Sequence, residues 1–219
     1  MTIVKLISLL LICGTVFATD LIQVDVGNKI KFTGVLNMSV TENQTSLNHG
    51  TQMALALEDE LKIQHSKPVY AKQLVWDLSG FSLIRALSKA LDSNPKVLSL
   101  SYSGEIPNFT EEAILMAHRL NDTVIVVAAG NKGNDEIQFP SGYDNPCILS
   151  VGTTIDGVRA VYSNKGKVWL DYNPKDPSGT SASTARMAGI VLQLRRNHPQ
   201  FTCDKIVLTA RMLYGKVKR

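Results

Sequence analysis

Four residues of this 219-residue chain carry the parts of a nucleophilic acyl-transfer site. An acid, Asp25, stands in Val24-Asp25-Val26-Gly27, and an imidazole, His49, in Asn48-His49-Gly50-Thr51. A carboxamide, Asn131, ends Ala128-Ala129-Gly130-Asn131, and a hydroxyl, Ser181, lies in Ser178-Gly179-Thr180-Ser181-Ala182. A serine hydroxyl is a poor nucleophile near neutral pH and needs a base to take its proton during attack, a task that suits histidine. A carboxylate must fix the imidazole tautomer and stabilise the imidazolium as it forms. A carboxamide N–H, together with a backbone N–H at a helix start, suits the oxyanion of a tetrahedral intermediate. Taken singly, each residue has a plainer use: Asp25 and Asn131 as turn residues, His49 and Ser181 as parts of helix starts. Their joint occurrence in one order favours catalysis.

The elements around them must bring all four to one place. Residues 21–26, 69–76, 97–102, 124–129 and 148–151 read as strands, several of them apolar on both alternations, as parallel strands covered on both faces are. Residues 50–61, 82–91, 110–120, 182–195 and 199–213 read as helices. Strands alternating with helices predict an α/β fold with a mainly parallel sheet and helices on both faces, a three-layer arrangement. Such sheets place their chemistry in loops at the carboxyl ends of the strands. Asp25 and Asn131 close strands, and His49 and Ser181 open helices, so all four belong to one sheet edge.

The chain order acid, histidine, serine then separates the possible scaffolds. It is neither the chymotrypsin order nor that of the α/β-hydrolases, and Ser183 stands where a G-x-S-x-G elbow needs glycine. The motifs resemble those of the subtilisin-like serine proteases, the S8 peptidase family, from about residue 21 to residue 199. Val24-Asp25-Val26-Gly27 resembles the aspartate motif and His49-Gly50-Thr51-Gln52-Met53-Ala54 the histidine motif. Val97-Leu98-Ser99-Leu100-Ser101 resembles the strand lining the substrate cleft. Gly179-Thr180-Ser181, followed by Ala188-Gly189, resembles the serine motif and its buried helix. Departures are Gln52, Leu55, Ala182, Ala185 and Arg186, none of them at a triad position.

The resemblance implies an endopeptidase acting on proteins or peptides, with Ser181 as nucleophile, His49 as general base, Asp25 orienting it and Asn131 in the oxyanion hole. It also implies that Ser101, Tyr102, Ser103 and Gly104 form one wall of the primary specificity pocket, with Ala129 and Gly130 on the other. The alternative is a pseudoprotease that keeps the fold as a secreted binding module. The remaining histidines, His65, His118 and His198, fall in a polar loop, off a helix stripe and at a helix ending, and read as structural or solvated. Metal-binding and nucleotide-binding patterns are lacking in the sequence, so neither metal nor cofactor is assigned.

Composition bounds the rest. With 44% hydrophobic and 19% charged residues the chain is globular, not disordered, and its net charge of +4 is too small to imply a nucleic-acid partner. Lys5, the apolar run 6–17 and the Val16-Phe17-Ala18 ending read as a signal peptide over residues 1–18. The run is too short for a membrane-spanning helix, so no stable membrane insertion is expected. One domain over residues 19–219, exported to the periplasm or secreted, follows. Cys147 and Cys203 either pair in an oxidising compartment or remain buried thiols, and the sequence leaves both open. Only a few residues separate the expected cleavage site from the first strand. The pro-peptide that the resemblance implies has no room there, so either the domain folds unaided or a separate folding or inhibitory partner does that job.

Overall fold

A computed structural model describes residues 21–25, 36–37, 49–64, 71–75, 90, 95–104, 122–135, 138–176 and 178–216. The expected leader, 1–18, lies outside the described residues, as do the expected helices 82–91, apart from Ala90, and 110–120.

The elements run β1 (Leu21–Asp25), β2 (Leu36–Asn37), α1 (His49–Ile63), β3 (Ala71–Val75), β4 (Val97–Leu100), β5 (Val124–Ala128), β6 (Ile148–Ile155), β7 (Val158–Arg159), β8 (Val168–Asp171), then two further helices. These helices, α2 (Thr180–Asn197) and α3 (Cys203–Tyr214), complete the described chain. The strands form one sheet ordered β2-β3-β1-β4-β5-β6-β7, with β8 also paired to β6. All pairings are parallel except β6 with β7. Every residue of β4 and β5 is buried, on both alternations, so both faces of the sheet centre are covered.

On one face the core gathers Val97, Val126, Leu149 and Val168 from the sheet with Leu57 of α1, Met187 and Val191 of α2 and Ile206 of α3. Helix α2 is buried over most of its circumference, as its run of alanines and branched residues foretells. It ends at His198, whose N–H returns to the Leu194 carbonyl at 3.0 Å, and Pro199 cannot continue it. Arg195 and Arg196 in its last turn offset the carbonyl end of the dipole. Helix α3 starts at Cys203, later than the sequence suggests. Residues 199–201 form a turn instead, in which the Phe201 N–H bonds the His198 carbonyl at 2.9 Å and the two rings stack at 4.7 Å. Cys147 at the head of β6 and Cys203 form a disulfide, with Cα atoms 5.2 Å apart. Among the described residues no helix is long and apolar enough to cross a membrane.

Candidate active site

The parallel sheet delivers the candidate residues to its carboxyl edge. Asp25 is the last residue of β1, opposite Val75 of β3. On the other side Val24 pairs with Leu100, which brings Asp25 to the level of Ser101 beyond the end of β4. His49 is the first residue of α1 and is exposed. Ser181 is the second residue of α2 and partly exposed. Asn131, also exposed, follows β5 after Ala129 and Gly130.

Ser181 and Ser101 hold each other. Ser181 Oγ donates to the Ser101 carbonyl at 3.3 Å, and Ser101 Oγ donates to the Ser181 carbonyl at 3.0 Å. The end of β4 is thereby pinned to the first turn of α2.

A second set of bonds fixes Asn131. The Thr180 N–H donates to Asn131 Oδ1 at 2.9 Å, and the Thr180 hydroxyl donates to the same oxygen at 3.1 Å. The Thr180 hydroxyl in turn accepts the Gly130 N–H at 3.2 Å. A helix leaves its first N–H groups without intrahelical acceptors, and Asn131 takes the one on Thr180. The Ser181 N–H, next along, likewise has no acceptor within the helix. Because Oδ1 faces two donors, the amide orientation is set, and Nδ2 is left to donate elsewhere.

Glycine is required at two points of this loop pair. Gly179, the residue before α2, has φ of 121°, and a β-carbon on it would lie 3.3 Å from Asn131 Nδ2. Gly130 has φ of 111°, and a β-carbon there would lie 2.4 Å from Gln138 Oε1, 2.7 Å from Asn164 Nδ2 and 3.1 Å from Ser103 Oγ. Gly130 therefore lies close to Ser103, and the polar side chains of Gln138, Asn164 and Ser103 meet around it. Gly104 is bridged to Phe139, its N–H donating to the Phe139 carbonyl at 3.0 Å, and the Tyr102 hydroxyl lies over it.

Behind the loops lies a buried polar layer that the sequence reading did not single out. Thr153 Oγ1 and Ser183 Oγ are 2.8 Å apart, and the Thr153 N–H donates to Ser163 Oγ at 2.9 Å. Asn164 donates its N–H to the Gly130 carbonyl at 2.9 Å, and its Oδ1 accepts the Lys132 N–H at 3.0 Å. Thr153, Ser163 and Asn164 are almost fully buried, so these bonds are strong constraints on the 130–134 turn. Of these residues only Thr153 lies in a strand, β6, while Ser163 and Asn164 lie between β7 and β8, where periodicity gives no signal. Among the described residues no cluster of three or more histidine, cysteine or acidic side chains could hold a metal ion.

Comparison with known proteins agrees with this architecture. The subtilase family model, Peptidase_S8, matches residues 37–214. The thermostable alkaline protease of Halalkalibacterium halodurans is 24% identical over 184 residues, covering 72% of this chain and 50% of that protein. The chain thus spans about half the length of this curated relative. The self-cleaved protease domain of PatA shares the fold with a TM-score of 0.66 at 18% identity, covering 92% of this chain and 95% of that one. MycP1 with its N-terminal propeptide removed gives a TM-score of 0.65 at 20% identity, over 88% of this chain and 82% of the other. The prenylagaramide maturation protease PagA gives 0.65 at 18% identity, over 92% and 91%. The chain belongs to the subtilase family.

Proposed function

We propose that the chain is an exported serine endopeptidase that cleaves protein or peptide substrates through an acyl-enzyme on Ser181. Ser181 Oγ attacks the scissile carbonyl while His49 takes the hydroxyl proton. The tetrahedral oxyanion is held by Asn131 Nδ2 and the Ser181 N–H. As the oxyanion collapses the C–N bond breaks, and His49 passes the proton to the leaving amine. Water, deprotonated by His49, then releases the acid. Asp25 orients His49 and stabilises its charged form. The strand end 101–104 and residues 129–130 receive the side chain that precedes the cut, and export follows from the leader over residues 1–18.

The observation that carries this reading is the grip of Thr180 on Asn131 Oδ1. A carboxamide held by its oxygen beside the serine at a helix start has its N–H group free to meet developing negative charge, with no reorganisation required during reaction. The 3.3 Å bond from Ser181 Oγ to the Ser101 carbonyl is long for a hydroxyl donor, so exchanging it for the His49 ring costs little.

Hydrolysis of casein and of fluorogenic peptides tests the proposal. The fold neighbour described as a maturation protease makes precursor peptides worth including. The wild-type chain should release new amino termini and Ser181→Ala should not; equal rates in the two proteins would contradict it.

A further inference from the structure

The serine motif departs from the family pattern at Arg186, and in the fold this residue joins four separate segments. Its Nε donates to Glu60 Oε2 on α1 at 3.1 Å, and Nη1 donates to the Asp171 carbonyl at the end of β8 at 2.9 Å. Asp176 Oδ2, in the connection that leads into Ser181, lies 3.9 Å from the same Nε. Glu60 is 3% exposed and Asp176 8%, so two carboxylates face one guanidinium out of water. The second Glu60 oxygen accepts Gln64 Nε2 at 2.8 Å.

The helices meet here with no slack. Gly189 of α2 lies against α1, and a β-carbon on it would be 3.3 Å from Leu57 Cδ1 and 3.5 Å from Glu60 Cγ. Helix α1 begins at His49 and α2 carries Ser181 in its first turn. Glu60 is about three turns along α1, and Arg186 between one and two turns beyond Ser181. We propose that Arg186 is a positioning residue, which fixes the helix that begins at His49 relative to the helix and connection that carry Ser181.

The cluster is poorly explained as a source of stability. Buried charges are costly to desolvate, and apolar residues of similar volume often serve stability as well or better. Asp176 Oδ2 has no hydrogen-bond partner. Burial, chiefly, holds the Asp176 carboxyl above its usual range; Asp59 and Glu60 add to the effect, while Arg186 and a bond from Asn173 oppose it. What the cluster does supply is direction, because a guanidinium presents its donors in a rigid fork that a flexible ammonium lacks. Reaction geometry is that sensitive: a misplacement of about 1 Å can cost on the order of 100-fold in rate.

For its catalytic consequence the inference rests on the peptidase reading, so its test carries one readout that needs no turnover. Spin labels at Leu55→Cys and Ser178→Cys, both exposed positions, are introduced in a Cys13→Ser chain. They report the distance between α1 and the connection into α2 by pulsed electron paramagnetic resonance. Phosphonylation of Ser181 by a fluorophosphonate, in which the serine oxygen bonds phosphorus and fluoride leaves, is timed on the same proteins. The variants are Arg186→Met, Arg186→Lys and the charge-free triple Glu60→Gln/Asp176→Asn/Arg186→Met, which keeps the test open if Arg186→Met alone fails to fold. The parent should give one narrow distance. The triple variant should melt within a few degrees of the parent, yet show a broadened or shifted distance and at least tenfold slower phosphonylation, with Arg186→Lys in between. An unchanged distance in the folded triple variant overturns the proposal, and so does a changed distance with phosphonylation untouched. If the parent itself is not labelled, the peptidase reading fails alone, and the distance still decides the positioning role.

Discussion

The two helices that carry candidate catalytic residues in their first turns are moored in different ways. Helix α2 packs on β4, β5, β6 and β8, on α3 and on α1, and its first N–H is capped from another loop by Asn131. Helix α1 opens with an exposed His49, and among the described elements it packs chiefly on α2, with a smaller contact to β1. The proposed nucleophile is thus placed by the sheet, whereas the proposed base is placed largely by the helix that carries Ser181. Chemistry explains the asymmetry. The oxyanion donors must be preorganised to be of use, while the imidazole has to move a proton between two partners and tolerates a less rigid seat.

The largest expected effect tests whether these two ends act as one device. Ser181→Ala and His49→Ala should each lower kcat on the order of 10⁶-fold, and the double variant should lose no more, the non-additivity known for subtilisin itself. Losses that multiply would show that the two helices do not share a single step. A second experiment loosens only the α2 end. Asn131→Ala should lower kcat by about 10² to 10³ with little change in KM, again the size known from subtilisin. Thr180→Val, which strips the hydroxyl that bonds both Gly130 and Asn131, should follow the same pattern more weakly.

Removing the disulfide asks whether α3 contributes to the site or only to the fold. The bridge spans 56 residues. Cys147→Ala/Cys203→Ala should therefore cost about 4 kcal/mol by the loop-entropy estimate, a fall in Tm of about 8–16 °C. Below the melting range kcat should be unchanged, because the hydrogen bonds that place Ser181 and Asn131 do not pass through the bridge.

The smallest effect concerns the charge cluster between the helices. Burial raises the Asp176 carboxyl above its ordinary 3.8, so the native state keeps this proton to a higher pH than the unfolded chain does. Ionisation of Asp176 therefore costs stability. The cost is absent below the unfolded value and complete above the native one. Asp176→Asn should accordingly raise Tm at neutral pH, where that cost is borne. That gain should vanish as the pH falls below the ordinary carboxylate range, which thermal melts across pH would record.

Much of this was legible in the sequence. Two-sided apolar runs point to β4, β5 and the first half of β6, and the helical reading of residues 50–61 matches α1, whose Met53 and Leu57 are buried. Residue types at strand ends and helix starts placed the four candidates on one edge, and family membership accords with their order. The second half of β6 was missed because Gly152, Thr153 and Thr154 read as a strand ending. In the fold the lack of a side chain at Gly152 makes room for the Trp169 ring, and the two threonine hydroxyls bond Ser183 and Asp171. Its partner β8, only four residues long and half-buried in alternation, is not among the expected strands. The polar layer behind Asn131 and the Arg186 junction depend on contacts between residues far apart in the chain, such as Glu60 with Arg186, which periodicity does not report.

The most direct test of the central claim is covalent labelling with a fluorophosphonate, followed by mapping of the modified peptide. An activated Ser181 beside a working base should give one adduct, on Ser181, at a rate that falls by at least 10³ in His49→Ala. No adduct under conditions that fully label an active subtilase, or an adduct on another residue, would contradict the account.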